Sequence, residues 1–485
     1  MLEVLNILLG TSYTLNESII SLLNSYVTQN LDFGTAYAHL RQHWHDVATI
    51  EEKLRHREVE DLEMRRNVLA DGRITKRNVP PRRVWDLYAN RVVPYWVTCD
   101  EPWAISHAWV DEKDRVNVMT SINGREWPVP LPKDANLDLI RIEMLNLTSH
   151  GYVWLDVLCL RQESETNDDL RFDEWELDVP TIGSVYERAY SCVVYYFNGL
   201  GRPLHLKPDY FKSDRCWFRR AWTLQEITAY PAIIGGETGK DDMDKHIQRR
   251  FNKRLSSLQR MRRSASILEF VFEMKHRVST KPLDKVAGLA YLLQTNSIPI
   301  YDTKRSPADA WEVLVDVMHP SFQAVLLFVY PEPGNRSSYW RPSWDQVMTN
   351  KALAPRTTGY LGRVDWKEYL DADYYRGYII ESGNVRGLGE VPKRLKPRHG
   401  EVVFKDANGA TRTLKVIADH LYPIPNGFYT LLGCYGMHSN PDRWVVGQRR
   451  PNGMFEKWSV IRLADDENAD LNDLALDRQV ETLLC

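Results

Sequence analysis

The sequence predicts an α/β protein built on a parallel sheet, with a helical region before it and a β-rich region after it. Three observations carry this reading. From Trp103 to about Gly236, short and nearly continuous apolar runs alternate with amphipathic segments in the order β-α-β-α-β-α-β, the pattern of strands covered on both faces. Ahead of that stretch the apolar spacing is helical. Beyond Pro331-Glu-Pro-Gly334 and Pro342 it gives way to alternation and turn signals.

Taken in order, residues 1–85 read as helices, with Ser18-Ile-Ile-Ser-Leu-Leu and the charged run from Glu51 to Arg66, until Pro80-Pro81 breaks them. Trp103–Trp109 is the first strand of a domain spanning 86–300. Asp134 caps a helix carrying Leu137, Ile140, Met144 and Leu147, which Gly151 ends. Tyr152–Leu158 is a second strand, Val179–Ala189 a short helix, Cys192–Phe197 a third strand, Trp217–Thr228 a helix and Ala232–Ile234 a fourth strand. Lys245–Arg263 is a basic helix, read as a solvated face with anion or partner binding as the alternative. Helices over Leu283–Leu293 and Ala308–Met318 lead into a connection at 301–355. The region 356–485 is β-rich, with strands at Thr411–Ile417 and Gly427–Leu432 and a hairpin about Pro451-Asn452-Gly453; the acidic stretch Asp465–Asp473 is a loosely held tail.

Composition narrows the function. A chain of 485 residues with 43% hydrophobic and 26% charged residues is globular and holds several domains. A net charge of −3 supplies no global field for nucleic acid or an anionic membrane. No apolar run reaches the ~20 residues of a membrane span, and the N-terminus lacks the basic start of a signal peptide. Six scattered cysteines without a C-x-x-C pair fit a reducing, cytoplasmic setting. No metal site is expected, because His43/His45 and Cys434/His438 are isolated pairs. Gly235–Lys240 is one residue short of a phosphate loop, and Asp241 stands where Ser or Thr is needed.

Four segments carry chemistry. Ser106-His107-Ala108-Trp109 ends the first strand, its histidine either a structural hydrogen-bonding residue or a ligand contact. In Trp154-Leu-Asp156-Val-Leu-Cys159-Leu-Arg-Gln162, an Asp amid apolar residues must be paired, so it caps a loop or serves a site. Cys159 reads as a buried thiol, with a nucleophile served by His107 as the sharper alternative. In Cys216–Ile227 the expected helix puts Trp222 and Glu226 one turn apart on one face, just after Arg219 and Arg220. Arg277-Val-Ser279-Thr-Lys-Pro282-Leu-Asp284-Lys285 reads as a structural helix entry. Ligands of open parallel sheets gather outside the strands' carboxyl ends, where Ser106, His107, Asp156 and Glu226 would converge.

In this order the four segments resemble the HET (heterokaryon incompatibility) domain of filamentous fungi. That family reads Ser-His/Tyr-x-Trp, Trp-x-Asp-x-Leu-Cys-x-x-Gln, Arg-x-Trp-Thr-x-Gln-Glu and Pro-x-Asp-Lys; here these are Ser106–Trp109, Trp154–Gln162, Arg220–Glu226 and Pro282–Lys285. The resemblance covers roughly residues 90–295. Trp340–Trp344 is similar to segments of large HET-containing proteins of mushroom-type fungi. Val110 departs from the family, which commonly has Gly after the first motif's Trp.

The resemblance implies a role in fungal non-self recognition and regulated cell death. It also implies a flavodoxin- or TIR-like core, because HET domains look like distant relatives of TIR domains. TIR domains that cleave NAD carry a catalytic Glu four residues after a Trp; Trp222 and Glu226 keep that spacing, with Thr223 in place of the family's Cys. On this comparison Glu226 is the catalytic residue. Trp222 or Trp109 stacks on a base, Arg219 or Arg220 meets the diphosphate, and Ser106, His107 and Asp156 orient the ribose. NAD is then substrate, and no cofactor is required. The rival reading is a non-catalytic module that self-associates or binds an unknown protein trigger.

Overall fold

The computed structural model describes all residues except 149–150, 165–167, 189–191, 237–244, 265, 294, 296, 350–351, 354–359, 391–395, 435–442 and 465–476. Most of the phosphate-loop-like segment, His438 and the acidic stretch from Asp465 lie outside the described residues. The chain forms two compact units, Met1–Ser306 and Pro307–Cys485. The architecture is mixed α/β, with several sheets and a β-rich C-terminal unit. No helix among the described residues is long and apolar enough to cross a membrane.

The first unit begins with helices Leu2–Leu9, Glu17–Thr28, Phe33–Leu40 and Ile50–Asn67. The second starts where Asn16 accepts the Ile19 amide at 2.9 Å, satisfying an otherwise unpaired N-terminal donor. Leu5, Ile19, Leu22, Leu40, Trp44 and Ile50 form their common core.

Beyond them lies a six-stranded sheet, of strands β1 (Arg83–Asp86), β2 (Arg91–Pro94), β3 (Trp103–His107), β4 (Tyr152–Trp154), β5 (Val193–Tyr196) and β6 (Ile233–Ile234). Its order is β6-β5-β3-β4-β1-β2. The pairings β6–β5, β5–β3 and β3–β4 are parallel, as the apolar runs predict. The β1–β2 hairpin adds two antiparallel strands at the β4 edge. After β3 the chain crosses first to β4 and then back to β5 on the other side. The β3/β5 boundary is therefore a switch point, where a crevice opens at the carboxyl ends.

Asn136, and not Asp134, caps the helix Leu137–Leu147, its side chain accepting the Asp138 and Leu139 amides. Three further local expectations need correction. The second strand stops at Trp154, and Asp156 opens the helical turn Asp156–Cys159. Helix Asp168–Asp178 follows, where no element is expected. The third correction concerns the segment with Trp222 and Glu226. Instead of one helix over Trp217–Thr228, the chain makes two 3₁₀ turns, Trp217–Arg219 and Trp222–Leu224, with Arg220 extended between them.

The physical reason is competition for the backbone. Ala221 N–H donates to Val278 O at 3.0 Å, in a parallel bridge between Arg220 and Val278. Thr223 Oγ1 donates to Trp217 O at 2.6 Å, and Arg277 Nη1 donates to Arg220 O at 2.6 Å. These carbonyls are thus occupied by side chains, and short polar side chains that bond nearby backbone disfavour helix.

In the second unit, strands Ala372–Arg386, Arg398–Lys405, Thr411–Ala418, Phe455–Leu463, Arg443–Arg449 and Gly427–Gly433 pair antiparallel in that order. The last pairs back to the first, closing a six-stranded barrel. Val385, Val402, Leu414, Val416, Leu431, Val446 and Ile461 fill its core. Closure removes the open edges that a sheet of this length would expose.

Candidate active site

The carboxyl ends of β3 and β4 present two linked hydrogen-bonding systems. In the first, Trp217 Nε1–H donates to Ser106 Oγ at 2.7 Å, and Ser106 Oγ–H donates to Glu226 Oε2 at 2.5 Å. Because the indole is donor only, the buried serine hydroxyl must turn its single proton toward the carboxylate. Tyr195 Oη, at the end of β5, donates to Glu226 O at 2.9 Å and so fixes the backbone that carries the acid.

In the second system, His107 Nε2 lies 2.8 Å from Asp156 Oδ1, and Trp109 Nε1–H donates to Asp156 Oδ2 at 3.1 Å. The His107 and Trp109 rings stack at 5.8 Å. Burial disfavours the His107 cation, but Asp156 and then Glu226 outweigh it and raise its pKa. Burial likewise pushes the Asp156 carboxyl up, while His107 and the Val157 and Trp109 N–H donors bring it below the ordinary value. Imidazolium and carboxylate are thus held as a pair.

Among the described residues Glu226 has no such cation in direct contact; its carboxylate accepts from Ser106. Its carboxyl is raised to about 7, first by burial and further by the Asp156 charge, against the lowering effects of Ser106, His107 and Arg277. A carboxyl poised near neutrality in a cleft marks a candidate for proton or charge chemistry. Replacing Ser106 with Ala removes the hydrogen bond that favours the ionised form. The Glu226 titration midpoint, followed by carboxyl NMR on labelled protein, should move upward from about 7; a downward or absent shift would contradict this donor role.

Both systems border a cleft of about 330 Å³. Of the residues expected from the sequence, Trp109, Asp156, Arg220, Trp222 and Glu226 line it. Ser106 and His107 stand behind that surface, 0% and 6% exposed, and act on it through Glu226 and Asp156. Arg219 is not brought to the cleft lining. Its guanidinium pairs with Asp214 at 2.9 Å and donates to Lys212 O at 2.7 Å, because the extended backbone at Arg220 separates the two arginines. Arg220 has no ion-pair partner among the described residues, and burial together with Arg215 lowers its pKa.

The fourth segment does the structural work expected of it. Arg277, 1% exposed, binds Glu273, Arg220 O and Thr223 Oγ1. Asp284 accepts Ser279 Oγ at 2.7 Å and Tyr301 Oη at 2.6 Å. Cys159 is buried, and burial pushes its thiol up to about 12. That favours the reading as a core residue over a nucleophile.

Several cleft residues escape sequence reasoning: Trp175, Tyr186, Tyr301, Arg115, Arg215 and Lys281. Trp222 meets Tyr301 at 6.2 Å and Tyr301 meets Trp175 at 6.1 Å, making one aromatic wall from three distant segments. Only Lys281 lies within a singled-out motif. Among the described residues no group of three or more His, Cys, Asp or Glu is placed to hold a metal ion.

The class these features define is an α/β domain with an acid-bearing aromatic cleft at the carboxyl edge of parallel strands. Within it, residues 103–212 match the family model described as Heterokaryon incompatibility protein (HET). The match supports a heterokaryon incompatibility domain and points to an effector role in incompatibility and cell death. Glu226 lies beyond the matched residues. No curated protein and no solved structure matches the chain.

Proposed function

We propose that this protein is an effector of fungal non-self recognition and regulated cell death whose first unit hydrolyses NAD in the Glu226 cleft. The observation that carries the reading is the Glu226 carboxyl, raised to about 7, in a cleft it lines together with aromatic and cationic side chains. The strand order β6-β5-β3-β4 and the Trp222–Glu226 spacing support a TIR-like comparison.

In the proposed reaction the bond between ribose C1′ and the nicotinamide nitrogen breaks, and its electron pair leaves with the neutral pyridine. Water adds to C1′ and releases a proton, giving ADP-ribose. The transition state is oxocarbenium-like, and an ionised Glu226 beside it supplies the compensating charge in a cleft of low dielectric. Trp222 and Tyr301 offer apolar faces to the nicotinamide. Arg220 offers an unpaired cation to the phosphates. The His107–Asp156 pair holds Trp109 and keeps Asp156 ionised beside the ribose.

The test is NAD loss with purified full-length protein, in dilute and concentrated samples. The expected result is turnover that rises with pH through about 7 and falls by about 100-fold or more in Glu226→Gln. No turnover at either concentration, together with cell death unaffected by Glu226→Ala, would overturn the proposal and leave a non-catalytic signalling module.

A further inference from the structure

The Glu226 cleft does not end at Trp109 and Trp175. A second groove of about 470 Å³ opens beside it, and the two share Trp109, Glu112, Arg115, Gln162, Trp175 and Lys281. Together they have the volume range of small-molecule and cofactor sites. At the junction each tryptophan carries a cation. The Arg115 guanidinium lies 5.3 Å from the Trp109 ring centroid, and Lys281 Nζ lies 5.5 Å from that of Trp175.

These cations remain open to a ligand. Lys281 is exposed and has no ion-pair partner among the described residues. Among the described residues Arg115 has one ion-pair partner, Glu112, at 3.5 Å, whose side chain is 88% exposed. Such an exposed pair is weak and readily exchanged. Arg171, which also lines the second groove, is already paired with Asp168 at 2.8 Å.

We propose that this second groove is the subsite for the adenosine end of a dinucleotide, with Arg115 and Lys281 holding the diphosphate at the junction. The inference rests on the NAD reading of the Glu226 cleft and extends it. The reacting nicotinamide riboside occupies one chamber, and the half that undergoes no chemistry occupies the other. Three features favour a diphosphate-linked ligand over a single nucleoside: two chambers in continuity, aromatic surface at their boundary, and two cations without strong partners where the chambers meet. It also adds to Arg220 two cations from other segments for the phosphates, in place of Arg219, which is held by Asp214 and the Lys212 carbonyl.

The test is equilibrium binding of ADP to the full-length protein by titration calorimetry, with adenosine as the comparison ligand. ADP should bind wild type and Glu226→Gln alike, and adenosine at least about tenfold more weakly. Lys281→Glu and Arg115→Glu should each weaken ADP by about tenfold or more, and Lys281→Glu should do so with unchanged thermal stability because that side chain is exposed. Absence of ADP binding, or ADP binding indifferent to both substitutions, would overturn the subsite. The two proposals fail separately: ADP binding through Lys281 without NAD turnover removes only the hydrolysis, and turnover with Lys281-independent ADP binding removes only the subsite.

Discussion

Replacing Arg277 with Met is expected to destabilise the 1–306 unit by about 3–5 kcal/mol, the range for breaking a buried charge network at one member. Arg277 donates to Glu273 at 3.1 Å, Arg220 O at 2.6 Å and Thr223 Oγ1 at 2.8 Å, with its side chain sealed from solvent. Burial lowers its pKa to about 10, against the opposing effect of Glu273, so it is cationic at neutral pH. Met fills much of the volume but leaves the Arg220 carbonyl without this donor and Glu273 with Arg254 alone.

The loss should concentrate where the network acts. Hydrogen exchange at the Ala221 amide, bonded to Val278 O at 3.0 Å, should accelerate more than exchange in β3 or β5. A Met variant as stable as wild type, with Ala221 equally protected, would show that the bridge to Val278 holds the segment unaided.

The second large effect is expected in the other unit. Lys457 is 1% exposed, and its Nζ donates to Leu327 O at 2.8 Å. Leu327 lies in the last turn of helix Pro320–Val329. Its usual i+4 donor would be residue 331, which is proline and has no N–H, so the lysine serves a carbonyl the helix cannot satisfy. Burial lowers the Lys457 pKa to about 7 from 10.5.

The sign follows from proton binding. Between about pH 7 and 10.5 the unfolded chain holds a proton that the folded unit has released, so stability rises with pH across that window. Below about 7 both states are charged and the folded state bears the full desolvation penalty. At about 1.4 kcal/mol per pKa unit the rise is on the order of 3–5 kcal/mol. Lys457→Met removes this contribution, so the difference in melting temperature between variant and wild type should change steadily from pH 7 to 10.5. A difference constant with pH would place the ammonium in a solvated environment.

Much of the candidate site was legible in the chain. Ser106 and His107 are polar residues toward the end of the first apolar run, and Asp156 is a carboxylate amid the second, where it must find a partner. Trp222 and Glu226 were legible for a different reason: both line the cleft although the predicted helix is absent. Of the alternatives Arg219 and Arg220, only Arg220 lines the cleft, because the bridge to Val278 extends the backbone between them where a helix would have kept them together. Trp175, Tyr301, Arg115 and Lys281 come from four separate segments. Nothing local distinguishes an aromatic residue that walls a cleft from one that fills a core.

By itself, the sequence determined the parallel strands of the sheet region and the β-rich character of the C-terminal region, because apolar periodicity and turn residues act over a few neighbours. Tertiary structure decided the rest. It melted Trp217–Thr228 into two turns, since Arg277 and Val278 took the backbone partners a helix needs. It closed the C-terminal strands into a barrel, since strand Ala372–Arg386 pairs along both edges. It also raised Glu226 to about 7, because ionisation depends on the solvent and charges that packing leaves around a carboxyl, and those come from residues far apart in the chain.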